Sequence, residues 1–184
     1  VIMVGTVPSQ HMYGLETTVF MALQANVILH AEKPFYPKDV QQVLLAQVHP
    51  VLLVTTPIHL RALVNAELSM PALHGIISAT APLDRTLAHA AEALFATSLH
   101  EIYGCTEAGS MATRHSTREL HWQPLDGFVM ESRGEEGADV FAPHLAGRVL
   151  IQDQLLIDET GTFLLQGRNA DMINVAGKRA SLAQ

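Results

Sequence analysis

The 184 residues are 48% hydrophobic and 16% charged, which excludes intrinsic disorder and allows one domain, or one piece plus a smaller one, to fold without a disulfide or metal. Lys plus Arg number 11 against 18 Asp plus Glu, a net charge of -7, so no basic stripe marks a nucleic-acid partner. Cys105 stands alone, which excludes an internal disulfide and fits a reducing, cytoplasmic location, and no apolar run approaches the roughly 18 residues of a membrane span.

The first hundred residues alternate between two textures. Ile2 to Val7 is a short apolar run ended by Pro8, as in a buried strand. Leu15 to Gln24 has helical spacing, and Val27 to His30 returns to strand. Pro37 opens a helix over Asp39–Val48, in the manner of proline in a first turn. Val51–Thr56 is β-branched and apolar, Ile58–Val64 is helical, and Gly75–Thr80 is a strand running into small residues. Asp84 is a good N-cap for a helix to Thr97, and Leu99–Tyr103 is a strand that runs into Gly104. Strand and helix alternating at this pitch predict an α/β fold with a largely parallel, flavodoxin-like sheet and flanking helices over 1–110. Ligands of such sheets sit beyond the carboxyl ends of the strands, here Pro8–Gly14, Thr80–Leu83 and Tyr103–Gly109.

After about Ser110 the helical period fades. His121-Trp122, Gly127–Met130, Asp139–Phe141, Arg148–Ile151 and Thr162–Leu165 read as short antiparallel strands, with Asp158–Gly161 a turn between two of them. A β-rich, barrel-like subdomain is therefore expected over 111–166.

Two clusters could carry chemistry. In Tyr103-Gly104-Cys105-Thr106-Glu107 a hydroxyl stands beside a carboxylate at a strand end. Thr106 can donate to a phosphoryl oxygen while Glu107 offers oxygen ligation to Mg²⁺, and the glycine lets a ligand come close. The same five residues also fit a plain loop with a capping Thr and a surface Glu. Gly167 to Arg179 packs three cations and two glycines around one apolar stripe, and equally fits a surface turn with solvated charges.

Taken with two further segments, these clusters resemble the adenylate-forming (ANL) superfamily: acyl- and aryl-CoA synthetases, luciferases and the adenylation domains of peptide synthetases. Tyr103–Glu107 is similar to the family's Tyr-Gly-x-Thr-Glu element, and Gly167–Arg179 to its Gly-Arg-x-x-Asp-x-Ile-x-x-x-Gly-x-Arg element. Pro8–Gly14 resembles Pro-x-x-His-x-Tyr-Gly, and Ser78–Leu83 resembles Ser-Gly-Gly-Ala-Pro-Leu. All four occur in the family's order.

The resemblance implies an AMP-forming carboxylate ligase. ATP activates a fatty or aromatic acid to an acyl-adenylate, and a thiol of coenzyme A or of carrier-protein phosphopantetheine takes the acyl group. Thr80, Ala81 and Pro82 would border the adenine, Tyr103 would stack on it beside Gly104, Thr106 would contact the α-phosphate, and Glu107 would bind Mg²⁺. The family's ribose-binding Asp lies fifteen residues before the Arg of Gly-Arg; that position is Asp153, with Arg168 reaching ribose or phosphate. Asp153 also fits a simple hairpin polar residue. His11, Gly14 and Ala79 would line the acyl pocket, although a lone His among apolar residues is equally a core histidine. Gln10-His11-Met12 lacks the Asp that pairs an amino-acid ammonium, which favours a fatty or aryl acid.

Three departures stand out. The family's phosphate loop, upstream of Pro-x-x-His, is not among these residues, nor is the domain with the catalytic Lys that follows the Gly-Arg element. Ala170 occupies the hinge position, usually Asp or Lys. The expected span is thus the C-terminal half of the large domain, with 167–184 a hinge segment, inactive alone. The alternatives are an adenylation domain that loads a carrier protein, a non-catalytic nucleotide-binding or interaction module, and a flavodoxin-like fold of unrelated function.

Overall fold

The computed structural model describes residues 1–168, 172–175 and 178–181, with side chains through residue 166. The chain divides into two units, Val1–Ser110 with His115–Glu119, and Met111–Arg114 with Leu120–Gln184.

In the first unit, β1 (Ile2–Gly5) leads into a helical run made of α1 (Met12–Gly14), a π-helical segment (Leu15–Phe20) and α2 (Met21–Gln24). β2 (Ile28–Leu29), α3 (Pro37–Leu45), β3 (Val51–Thr55), α4 (Pro57–Asn65), β4 (Gly75–Ser78), α5 (Arg85–Phe95), β5 (Leu99–Cys105) and β6 (Gly109–His115) follow. The sheet order is β2-β1-β3-β4-β5-β6, and β1 to β5 pair in parallel. This is the flavodoxin-like order, with the chain reversing its direction of travel across the sheet at β1.

Alternation along the strands sends neighbouring side chains to opposite faces. Val4, Leu53 and Ile76 pack with Val40, Leu60, Leu63 and Phe95 of the helices on one face. Met3, Val54 and Ala79 pack with Tyr13 on the other. Burial on both faces is why these strands read as continuous apolar runs. Pro37 and Pro57 open α3 and α4, and Thr56 and Asp84 cap α4 and α5 through the amides of His59 and Leu87.

β6 departs from the expected change of texture at Ser110. Its Met-Ala-Thr-Arg middle lacks the β-branched density of β3, yet Met111 and Ala112 are fully buried. Its ends belong to the first unit and Met111–Arg114 to the second.

The second unit is built of short antiparallel pairs. β7 (Gln123–Pro124) pairs with Ala112 and Thr113 of β6. β8 (Val129–Ser132), β9 (Ala138–Phe141) and β10 (Val149–Ile151) form a three-stranded sheet in the order β10-β9-β8. β11 (Asp153–Ile157) pairs with β12 (Phe163–Arg168), and β13 (Met172–Val175) with β14 (Lys178–Ser181). The pairing thus yields separate small sheets among the described residues, with no barrel closure among them.

Two polar devices fix this unit. The Asp158 carboxylate accepts hydrogen bonds from Thr160 and Thr162 in the β11–β12 turn, which lowers its pKa to about 2. Buried Asp139 lies between the guanidinium groups of Arg133 at 3.6 Å and Arg148 at 3.4 Å. His121-Trp122 forms no strand; Trp122 instead makes an isolated bridge to Phe163 and carries Arg114 over its ring at 4.5 Å.

Candidate functional site

Because β1, β3, β4 and β5 are parallel, their carboxyl ends share one edge of the sheet. Three of the four motif segments leave from that edge: Pro8–Gly14 after β1, Ala79–Leu83 after β4, and Thr106–Ala108 after β5.

The first segment is tied down by its tyrosine. The Tyr13 hydroxyl is shared between the carbonyl oxygens of Thr55 and Ile77, each at 3.0 Å, at the ends of β3 and β4. Burial pushes this phenol far above its ordinary pKa, so it stays a donor. Gly14 lies against the chain at Pro8, where an added Cβ would meet the Pro8 carbonyl oxygen at 2.1 Å. His11 is exposed, whereas Gly14 and Ala79 are buried. The exposure removes His11 from the core-histidine alternative.

The second segment leaves β4 at Ser78, whose buried hydroxyl has no hydrogen-bond partner among the described residues. Thr80 then adopts φ 82°, a left-handed conformation that costs a β-branched residue free energy. Thr80, Ala81 and Pro82 are exposed, and Leu83 returns to the core before the Asp84 cap.

In the third segment β5 extends through Gly104 and Cys105, past the predicted end at Tyr103. Thr106 and Glu107 are exposed at the turn, and Tyr103 is half-buried. An added Cβ on Gly104 would meet the Gly109 carbonyl oxygen at 2.3 Å, so the two arms of the turn touch backbone to backbone. Gly109 itself has φ 80°. Burial pushes the Cys105 thiol up, which fits an inert small residue and not a nucleophile.

Among the described residues no group of three His, Cys, Asp or Glu forms a metal cage. An exposed single carboxylate such as Glu107 nevertheless fits Mg²⁺, which is commonly held by one or two carboxylates plus phosphate oxygens.

Asp153 and Arg168 lie in the second unit, where they are direct partners across the β11–β12 pair, with a register shift just after Asp153. Their spacing of fifteen residues is therefore that of a hairpin bringing its two ends opposite each other. Ala170 lies outside the described residues.

Sequence reasoning missed two features of this edge. Glu16 accepts hydrogen bonds from the Ser110 amide at 2.9 Å and its hydroxyl at 2.5 Å. Thr6, just beyond β1, bonds Thr55 Oγ1 at 2.9 Å and His59 Nδ1 at 2.9 Å, and burial lowers the His59 pKa. Neither stood out, because both depend on contacts dozens of residues apart in sequence. A separate cavity of about 520 Å³, lined by Lys33, Phe35, Tyr36 and Asp39 among others, includes no motif residue.

A family model described as AMP-binding enzyme matches residues 1–153. The chain belongs to the AMP-binding enzyme family. The solved structures similar to it agree on the fold. ATP-bound MatB from Rhodopseudomonas palustris has a TM-score of 0.82 at 17% identity, covering 98% of this chain and 42% of that one. MenE from E. coli, with a bound m phenylether-linked analogue of OSB-AMS, gives 0.76 at 16% identity over 98% of this chain and 42% of that one. O-succinylbenzoate Coenzyme A Synthetase (MenE) from Bacillus subtilis, in complex with AMP, gives 0.76 at 16% identity over 97% and 43%. The chain thus spans about two fifths of the length of these AMP-binding enzyme relatives. No curated protein matches it. Among the described residues no helix is long and apolar enough to cross a membrane.

Proposed function

We propose that this chain supplies the adenylate-binding edge of an AMP-forming carboxylate ligase. The observation that carries the proposal is the convergence of three motif segments on one carboxyl edge, within a chain of the AMP-binding enzyme family. Relatives of the same fold bind ATP and AMP, which supports placing a nucleotide at this edge.

In this reading exposed Thr80, Ala81 and Pro82 border the adenine and Tyr103 stacks on it, with Gly104 allowing close approach. Thr106 donates to the α-phosphate. Glu107 holds Mg²⁺, whose charge, when bound, offsets that of the phosphates. Asp153 accepts from the ribose hydroxyls and Arg168 reaches ribose or phosphate. His11, Gly14 and Ala79 border the acyl group, and Ala170 is the hinge.

The chemistry needs such a site. A carboxylate resists nucleophiles because of its charge and its poor leaving group. Joining it to AMP makes a mixed anhydride whose leaving group is good, and the protein contributes position and charge neutralisation at the α-phosphorus. A thiol, coenzyme A or a carrier pantetheine, then accepts the acyl group.

The test is ATP-dependent pyrophosphate release by the full-length protein across a panel of fatty, aromatic and amino acids. Release with fatty or aromatic acids supports the proposal. No release with any acid, or release with amino acids alone, counts against it.

A further inference from the structure

We propose that Glu16 is a positioning residue that holds the Tyr103–Gly109 turn in the shape that receives the nucleotide. The proposal rests on the reading above and names what keeps that site in order.

Glu16 belongs to the π-helical segment that follows the Pro8–Gly14 motif. Thr17 and Thr18 return their hydroxyls to the carbonyls of Tyr13 and Gly14, so the widened helix keeps its backbone partnered. Helices of this kind are rare and often mark functional sites. The segment presents the half-buried Glu16 carboxylate to the start of β6. Its Oε2 accepts from both the amide and the hydroxyl of Ser110. Its Oε1 fills the space beside Gly109, where an added Cβ would meet it at 2.5 Å.

Gly109 in turn touches Gly104 across the turn. Thr106 and Glu107 hang between these two contacts, with Cys105 and Ala108 joined by a 3.3 Å bond. Within the turn Thr106 and Glu107 are exposed and Ala108 is buried. A carboxylate accepting from a backbone amide makes a stronger bond than a neutral acceptor does. Glu16 therefore fixes the outer arm of the turn, and through it the two exposed side chains assigned to phosphate and cation.

The test pairs amide hydrogen exchange with AMP binding, both on the full chain. Glu16→Ala removes every acceptor. Glu16→Gln keeps an oxygen for the Ser110 donors, and Ser110→Ala removes one donor only. The expected result for Glu16→Ala is exchange at Ser110 and through the turn faster by about tenfold or more, with AMP bound about tenfold more weakly, of the order expected for losing a charged hydrogen bond. Glu16→Gln, with a neutral acceptor, falls between Glu16→Ala and the unsubstituted chain in both readouts, and Ser110→Ala shifts in the same direction by less than Glu16→Ala. If Glu16→Ala does not fold, Ser110→Ala carries the test. Unchanged exchange overturns the proposal, as does faster exchange with unchanged AMP affinity, the pattern of a merely structural contact. An unsubstituted chain that binds no AMP defeats the nucleotide reading itself; one that binds AMP alongside an unaffected Glu16→Ala defeats only the role of Glu16.

Discussion

The turn after β5 is held by close backbone contact and by Glu16, whereas the turn after β4 carries strain at Thr80 and leaves the Ser78 hydroxyl unpartnered among the described residues. Both present exposed side chains at the same edge. One is ordered by what surrounds it, and the other stores free energy that the rest of the fold supplies. Strain of this kind concentrates at ligand clamps because an element selected only for stability would discard it. Substitutions in the two turns should therefore have opposite signs.

The largest effect belongs to the ordered turn. Gly104→Ala drives a methyl into the Gly109 carbonyl, where both partners are backbone and neither can move aside. The expected loss is about 3 kcal/mol in denaturant unfolding. A loss near zero would mean that the two arms do not touch. Next is Tyr13→Phe, which removes the hydroxyl bridging the ends of β3 and β4 and leaves the buried Thr55 carbonyl and the part-buried Ile77 carbonyl without it. About 1–2 kcal/mol should be lost in the same measurement.

Thr80→Gly has the opposite sign. Glycine accepts φ 82° without strain, so stability should rise by about 1 kcal/mol after the extra freedom of the unfolded chain is counted. A fall in the unfolding midpoint would remove the contrast between the turns. The smallest effect is on pH dependence. Burial holds His59 below its ordinary pKa of 6.5, so the unfolded chain takes up this proton first as pH falls. The contribution of His59 is fully present above that value and is lost as pH drops toward the lower folded pKa. His59→Gln should flatten this part of the stability–pH curve; an unaltered slope would show that another group sets it.

The parallel layer was legible in the sequence because burial on both faces writes apolar runs, and prolines and caps mark the helices between them. The carboxyl edge was legible for the same reason: once strand direction is known, the loops that share an edge follow. What escaped was non-local. β6 hides in Met-Ala-Thr-Arg, which has little β-branched character although Met111 and Ala112 are fully buried. Glu16 lies in a stretch whose sequence shows only helical spacing, and its meeting with Ser110, ninety-four residues on, gives it a role. In the β-rich unit the hairpin turn at Asp158 was readable, while the bridge from Trp122 to Phe163 depends on pairing that no local pattern encodes.

The central claim is that a nucleotide occupies the edge formed by the turns after β4 and β5. Titration of the isotopically labelled chain with AMP, followed by amide chemical shifts, tests it most directly. The account predicts perturbations concentrated in Ala79–Ala81 and Tyr103–Glu107, with Ser110 following. Saturable shifts confined to the His30–Gln47 cavity, or no shifts at all at millimolar AMP, would contradict it.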